Sequence, residues 1–138
     1  MLTLPEPLAA ALMAHAWSQH PLEACGLLAG PAGSGRPTRL VPMRNAAQSS
    51  RFFAFEPREQ LRVWRELEAG DEEVVALYHS HTGSPAYPSR DDVLYATDPA
   101  LRYLIASTAP PYSGGLRSFR IVGGRVSEET IRFLAAPA

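Results

Sequence analysis

Val74-Val75-Ala76-Leu77-Tyr78-His79-Ser80-His81, followed by Thr82-Gly83-Ser84-Pro85-Ala86-Tyr87-Pro88 and then Ser89-Arg90-Asp91-Asp92-Val93-Leu94-Tyr95-Ala96-Thr97, is the stretch that decides the fold. The apolar run with two β-branched residues predicts a buried strand ending on two histidines. Alternate residues of a strand share a face, so His79 and His81 point the same way. Beyond a loop with two prolines, Ser89 opens a segment whose apolar residues have helical spacing. Asp92 follows three positions later, where a helix makes neighbours of the two, so both can face back toward the strand end. Two imidazoles and a carboxylate converging from rigid elements, with a fourth position free, is the ligand count of a catalytic zinc site. The parts also have ordinary explanations. Ser89 and Asp92 fit a capping box, and a lone His-x-His is a weak signal. Their combination is what points to a metal.

The remaining elements are read outward from this centre. Leu8 to Gln19 is alanine-rich between prolines and predicts a helix, with His15 and His20 as surface or capping residues. Glu23 to Gly30 is an apolar strand that begins on an acid and ends in a Pro/Gly/Ser-rich turn. Cys25 within it reads as a buried small side chain. Arg39 to Met43 and Arg51 to Phe55 are expected as two short strands joined by a polar link containing Asn45. Pro57 suits a first helical position, Leu61, Trp64 and Leu67 supply an apolar stripe, and Gly70 stops the helix. The acids Glu66, Glu68, Asp71, Glu72 and Glu73 read as a solvated face. Arg102 to Thr108, Ser118 to Val122 and Thr130 to Leu134 are expected strands, with Gly123-Gly124 as a hairpin turn. The chain therefore predicts one α/β domain over 1–138, a mixed sheet flanked by helices.

Bulk properties narrow the function. A chain of 138 residues with 46% hydrophobic residues and a formal charge of -1 is long enough for a real core. That balance excludes a disordered chain and gives no support to nucleic-acid binding by bulk positive charge. No apolar run approaches the roughly 20 residues of a membrane span, so no membrane partner is expected. One cysteine forbids an internal disulfide, and without a signal-peptide pattern the expected location is cytoplasmic. All 13 basic residues are arginines, so isopeptide chemistry on a lysine must act on another protein.

His79-x-His81, seven residues, Ser89, two residues, Asp92, with Glu23 upstream in Glu-x-Cys-Gly-Leu-Leu, resembles the JAMM (MPN-plus) zinc metalloproteases. The resemblance runs from Pro21 to about Leu134 and includes Phe53-Ala54-Phe55-Glu56-Pro57. Thr82 stands where many members have proline and Ala76 where glycine is common. The resemblance implies a cytidine-deaminase-like fold, although the deaminase pattern His-x-Glu with Pro-Cys-x-x-Cys is missing. It also implies one zinc ion on His79, His81 and Asp92, Glu23 as general base and acid, and Ser89 as a donor to the developing oxyanion. The compact spacing is most similar to the short bacterial members. These cleave peptide or isopeptide bonds after the C-terminal Gly-Gly of ubiquitin-like sulfur carriers, whose extended tail is expected along an exposed strand or loop near the metal. Two alternatives are an inactive binding scaffold, with the site shut by the Gly83 to Pro88 loop, and a role like that of a DNA-repair-associated family with a similar run. Oligomeric state, a homodimer included, is left open by the sequence.

Overall fold

The chain folds, in a computed structural model that describes residues 1–136, around a six-stranded mixed sheet with one helix on each face. The last two residues of the expected 1–138 domain lie outside the described residues. The elements run β1 (Leu2–Pro5), α1 (Glu6–Gln19), β2 (Cys25–Pro31), β3 (Arg39–Met43), α2 (Pro57–Ala69) and β4 (Glu72–His81). They continue with α3 (Arg90–Tyr95), β5 (Arg102–Ser107), β6 (Leu116–Val122), β7 (Arg125–Glu129) and β8 (Ile131–Leu134). The sheet order is β3-β2-β4-β5-β6-β7, and β4 with β5 is its one parallel pair. A parallel pair needs a crossover, and this one carries α3 across the C-terminal end of β4.

The alternation of β4 explains its two faces. Tyr78 joins Leu28, Leu104 and Ala106 beneath Leu12 and Ala16 of α1, while Leu77 packs with Leu27, Ala29 and Met43 under Val63 and Leu67 of α2. His79 and His81 therefore fall on the α2 face. Val75 is skipped in the β2–β4 pairing, a bulge that lets both Val75 and Ala76 reach the α1 side. Each large side chain removed from water here contributes roughly 1.5–3 kcal/mol.

Local sequence sets the helix limits. Glu56 accepts hydrogen bonds from the backbone of Arg58 and Glu59, Pro57 opens α2, and Gly70 closes it as expected. Helical geometry turns Leu61 away from Val63 and Leu67, so Leu61 is exposed and Val63 takes its expected place in the stripe. The acidic group after α2 is partly structural: Glu72 forms a two-bonded pair with Arg39, and the Glu73 carboxylate accepts from Gly33 and Gly35 in the Pro/Gly/Ser turn. Both glycines have positive φ, which aims their N–H groups at that carboxylate.

Further expectations fail. Arg51 to Phe55 is no strand. Only an isolated Asn45↔Phe55 bridge remains, because the Asn45 side chain takes the Phe52 carbonyl and the Ala54 N–H that a strand partner would need. His15 is half-buried, and its Nδ1 lies 2.7 Å from the Tyr78 hydroxyl, anchoring α1 to the sheet. His20 does cap α1, with Nδ1 2.8 Å from Thr108 Oγ1. The last expected strand forms as β8, but it pairs with β1, which the sequence reading omits, rather than with the main sheet.

A Cβ placed on Gly26 would lie 2.5 Å from both the Tyr78 hydroxyl and the Val41 carbonyl oxygen. Gly26→Ala is therefore expected to cost about 1–3 kcal/mol in chemical denaturation. Gly83→Ala, with nothing within 4 Å of the added carbon, should stay within about 0.5 kcal/mol.

Candidate metal centre

The end of β4 and the start of α3 bring three ligand-type atoms to one point. His79 Nε2 and His81 Nε2 are 3.2 Å apart, and Asp92 Oδ2 is 3.1 Å from the first and 3.0 Å from the second. Ser89 caps α3 through the expected capping box: its Oγ accepts from Asp92 N, and Asp92 Oδ2 accepts from Ser89 N at 2.8 Å. The cap thus fixes the carboxylate orientation as well as the helix start. His81 Nδ1 lies 2.9 Å from the Pro85 carbonyl, which can only accept, so Nδ1 carries the hydrogen and a neutral His81 presents a bare Nε2. The His79 ring stacks on Phe53 with centroids 4.6 Å apart.

These atoms fit a cation. In their neutral imidazole and ionised carboxylate forms, they aim lone pairs at one another, an arrangement that only protons or a metal relieve. A tetrahedron with metal bonds of about 2.0–2.1 Å has edges of about 3.3 Å, close to the separations seen, and two nitrogens with one carboxylate oxygen suit zinc. Burial holds His79 below its usual pKa. Burial also opposes ionisation of Asp92, but hydrogen bonds from both histidines outweigh it and keep the carboxyl far below its ordinary range. Burial pulls His81 down, and Asp92 with the Pro85 carbonyl more than reverses this.

Glu23 is 5% exposed and sits beside this cluster just ahead of β2, which starts at Cys25 rather than at the expected Glu23. The β2–β4 register pairs Cys25 with His79, and Ser80 N→Ala24 O extends it toward His81. Ser80 points to the opposite face from the histidines, and its Oγ accepts from Ala24 N at 2.8 Å. Burial pushes the Glu23 carboxyl up to about 7, with His81 opposing and Asp92 adding to the rise. Cys25 is buried and its thiol is pushed up to about 12, chiefly by burial, which supports the buried-side-chain reading and leaves no thiolate for chemistry.

Two clefts meet at the cluster. A polar cleft of ≈ 440 Å³ is lined by Glu23, His81, Ser89, Ser50, Arg51, Thr82, Gly83 and Ser84. A mostly apolar cleft of ≈ 520 Å³ lies on the side of His79 and Asp92, with Phe52, Phe53, Trp64 and Tyr95 among its walls. The Gly83 to Pro88 loop does not close over them. Ala86 is buried with Ile105 and Phe119, Tyr87 meets Phe119 edge-on, and Ser107 Oγ donates to Ser84 O, so the loop packs down on β5 and β6.

All five expected residues are brought together. The sequence reading gave no role to Ser80 or Asn45. Buried Asn45 donates to the Glu23 and Phe52 carbonyls and accepts from Ala47 and Ala54, tying the 45–55 segment to the Glu23 backbone just ahead of β2. For Ser80 a signal existed: strand alternation sends it to the face opposite the histidines. Asn45 had none beyond its polarity.

A histidine-carboxylate cluster beside a buried glutamate, at the mouth of two clefts on a mixed sheet, offers the donor set that a metal-assisted hydrolase uses. The family model described as prokaryotic homologs of the JAB domain matches residues 5–122. A CysO-cysteine peptidase of Mycobacterium tuberculosis is 50% identical over 131 residues, covering 95% of this chain and 90% of that protein. The solution structure of a Desulfitobacterium hafniense protein superposes with a TM-score of 0.86 at 36% identity, over 99% of this chain and 94% of the other. A JAB1/MPN-domain structure from Archaeoglobus fulgidus shares the fold, with a TM-score of 0.63 at 19% identity over 96% and 97% of the two chains. The chain belongs to the prokaryotic JAB branch of the JAMM family and is an isopeptidase-type peptidase.

Removing the Asn45 side chain strips partners from the buried Glu23 carbonyl, the half-buried Phe52 carbonyl and two half-buried N–H groups. Asn45→Ala is expected to lower stability by about 2–3 kcal/mol in urea denaturation, with faster amide exchange confined to the 45–55 segment and the start of β2.

Proposed function

We propose that the protein is a zinc-dependent peptidase that cuts the bond after the C-terminal Gly-Gly of a ubiquitin-like sulfur-carrier protein, releasing the adduct joined to it. The observation that carries this is the convergence of His79, His81 and Asp92 beside Glu23 at the junction of two clefts. The 50% identity to a peptidase named for CysO-cysteine supports the choice of substrate.

His79, His81 and Asp92 hold the zinc. When bound, zinc supplies Lewis acidity and lowers the pKa of water toward about 7. Glu23, with its pKa raised toward neutrality by burial, takes a proton from the attacking water and passes it to the departing nitrogen. The water oxygen adds to the glycine carbonyl carbon, and the C–N bond breaks as the nitrogen takes the proton from Glu23 and leaves as a neutral amine. The second water proton leaves the new carboxyl group for solvent or the amine, so the carrier ends as a carboxylate. Ser89 uses an oxygen lone pair to cap α3, so its hydroxyl hydrogen stays free to donate to the carbonyl oxygen as charge builds there. Because Glu23 serves the leaving nitrogen, the adduct departs through the polar cleft and the carrier tail approaches along the apolar one, beside the extended 52–55 segment. Among the described residues no helix is long and apolar enough to cross a membrane, and a cytoplasmic site of action suits a carrier substrate. The packed-down Gly83 to Pro88 loop disfavours a scaffold with a shut site, and the net charge of -1 disfavours a DNA role.

The test is mass-spectrometric cleavage of a Gly-Gly carrier bearing a C-terminal cysteine. Glu23→Gln is expected to retain zinc and lose about 10²–10⁴ in kcat, whereas His79→Ala should lose both zinc and turnover. Cleavage that survives both changes would contradict the mechanism.

Ser89 separates its two jobs in a second experiment. Ser89→Ala should cost about 1 kcal/mol of stability as a lost cap and about 10²–10³ in kcat as a lost oxyanion donor. A stability loss with kcat nearly intact would leave it as a cap alone.

A further inference from the structure

The polar cleft contains a charge that the hydrolytic chemistry does not use. Arg51 lines it together with Glu23 and Ser89, and among the described residues its guanidinium has no ion pair, unlike Arg39, Arg62, Arg102 and Arg117. The backbone around Arg51 is fixed from both sides of the cleft. Arg51 N donates to Ser49 Oγ, Glu23 N donates to Ser49 O at 2.9 Å, and Thr82 Oγ1 donates to Ser50 O at 3.1 Å. The segment is thereby tied to the backbone of the general base and to the residue that follows the histidine strand. A guanidinium on such a mount is an anion site: it stays charged and matches a carboxylate with two parallel hydrogen bonds.

The rest of the lining narrows the ligand. Every residue around this cleft is polar, charged or glycine, in contrast to the aromatic wall of its neighbour. The four methylenes of an isopeptide-linked lysine would find no apolar contact there. A single α-amino acid leaving group instead brings its own carboxylate, two bonds from the nitrogen that Glu23 serves. That carboxylate would enter next to the Glu23 carboxylate, where it needs a compensating positive charge.

We propose that Arg51 is a specificity-determining residue that binds the free α-carboxylate of the leaving amino acid. It sets the enzyme to remove one amino acid from the carrier tail in preference to longer extensions or lysine-linked proteins. This rests on the hydrolysis proposed above.

The experiment compares three carriers, ending in Gly-Gly-cysteine, Gly-Gly-cysteinamide and Gly-Gly-cysteinyl-alanine. The wild-type enzyme should favour the free acid over the amide by about tenfold to a hundredfold in kcat/KM, the scale of one charge-assisted hydrogen bond, with the dipeptide extension also disfavoured. Arg51→Ala should bring the acid-to-amide ratio close to one, and Arg51→Lys should restore part of it. In a binding readout, Glu23→Gln should hold the acid carrier more tightly than the amide, and adding Arg51→Ala should erase the difference. Equal cleavage of acid and amide by wild type, or a preference that survives Arg51→Ala, overturns the role of Arg51 while leaving the hydrolase intact. Failure to cleave any of the three overturns the hydrolytic reading and the role of Arg51 with it.

Discussion

Three lone-pair-bearing atoms held 3.0–3.2 Å apart are the constraint on which the other features depend. Left without a cation, this packing of two imidazole nitrogens and a carboxylate oxygen is repulsive unless an imidazole carries a hydrogen on Nε2. The protein holds it through elements that are stable for other reasons. β4 is central in the sheet, with partners on both sides, so the histidines cannot separate without breaking the core. Asp92 is fixed by the cap of a helix only six residues long, which makes the Ser89 interaction structurally decisive for that ligand. The Pro85 carbonyl then selects the His81 tautomer, so even the irregular loop contributes to the electronic state of a ligand.

The sheet also divides labour between its faces. On the α1 side, Tyr78 and Ser80 lock the strand: Tyr78 through His15 and a close approach to Gly26, Ser80 through the backbone next to Glu23. On the α2 side, the alternate residues His79 and His81 face the candidate metal centre. Registration of Glu23 against His81 is thus maintained by a serine that faces away from both. Asn45 performs the matching task at the other end, joining the Glu23 carbonyl to the irregular segment that separates the polar cleft from the apolar one.

Much of this was legible in the sequence, because it follows from short periodicities. The two-residue repeat of a strand gives a common face to His79 and His81, and the three-residue spacing of a helix turn links Ser89 with Asp92. The Pro57 start and Gly70 end of α2 are equally local. Glu23 was different. Nothing in an acid at a strand start distinguishes it from a solvated one, and only the family resemblance singled it out before the register showed it beside His81. What escaped the reading depends on partners far apart in the chain. β1 has four residues and is stabilised by β8 at the opposite end, so its Leu2 and Leu4 alternation carries little weight alone. The 51–55 segment has strand-like composition, yet a single asparagine side chain supplies the hydrogen bonds that a partner strand would have made. Val93, Leu94 and Ala96 have helical spacing, yet Leu94 stays exposed on α3, a short helix whose cap positions Asp92.

Zinc binding by the His79, His81 and Asp92 cluster is the proposal from which the rest of the chemistry follows. Anomalous diffraction collected on both sides of the zinc absorption edge, from crystals of protein purified without chelators, tests it most directly. A single edge-dependent peak per chain is expected in contact with His79 Nε2, His81 Nε2 and Asp92 Oδ2. A zinc-replete crystal with no peak there, or with its zinc on other residues, would contradict it.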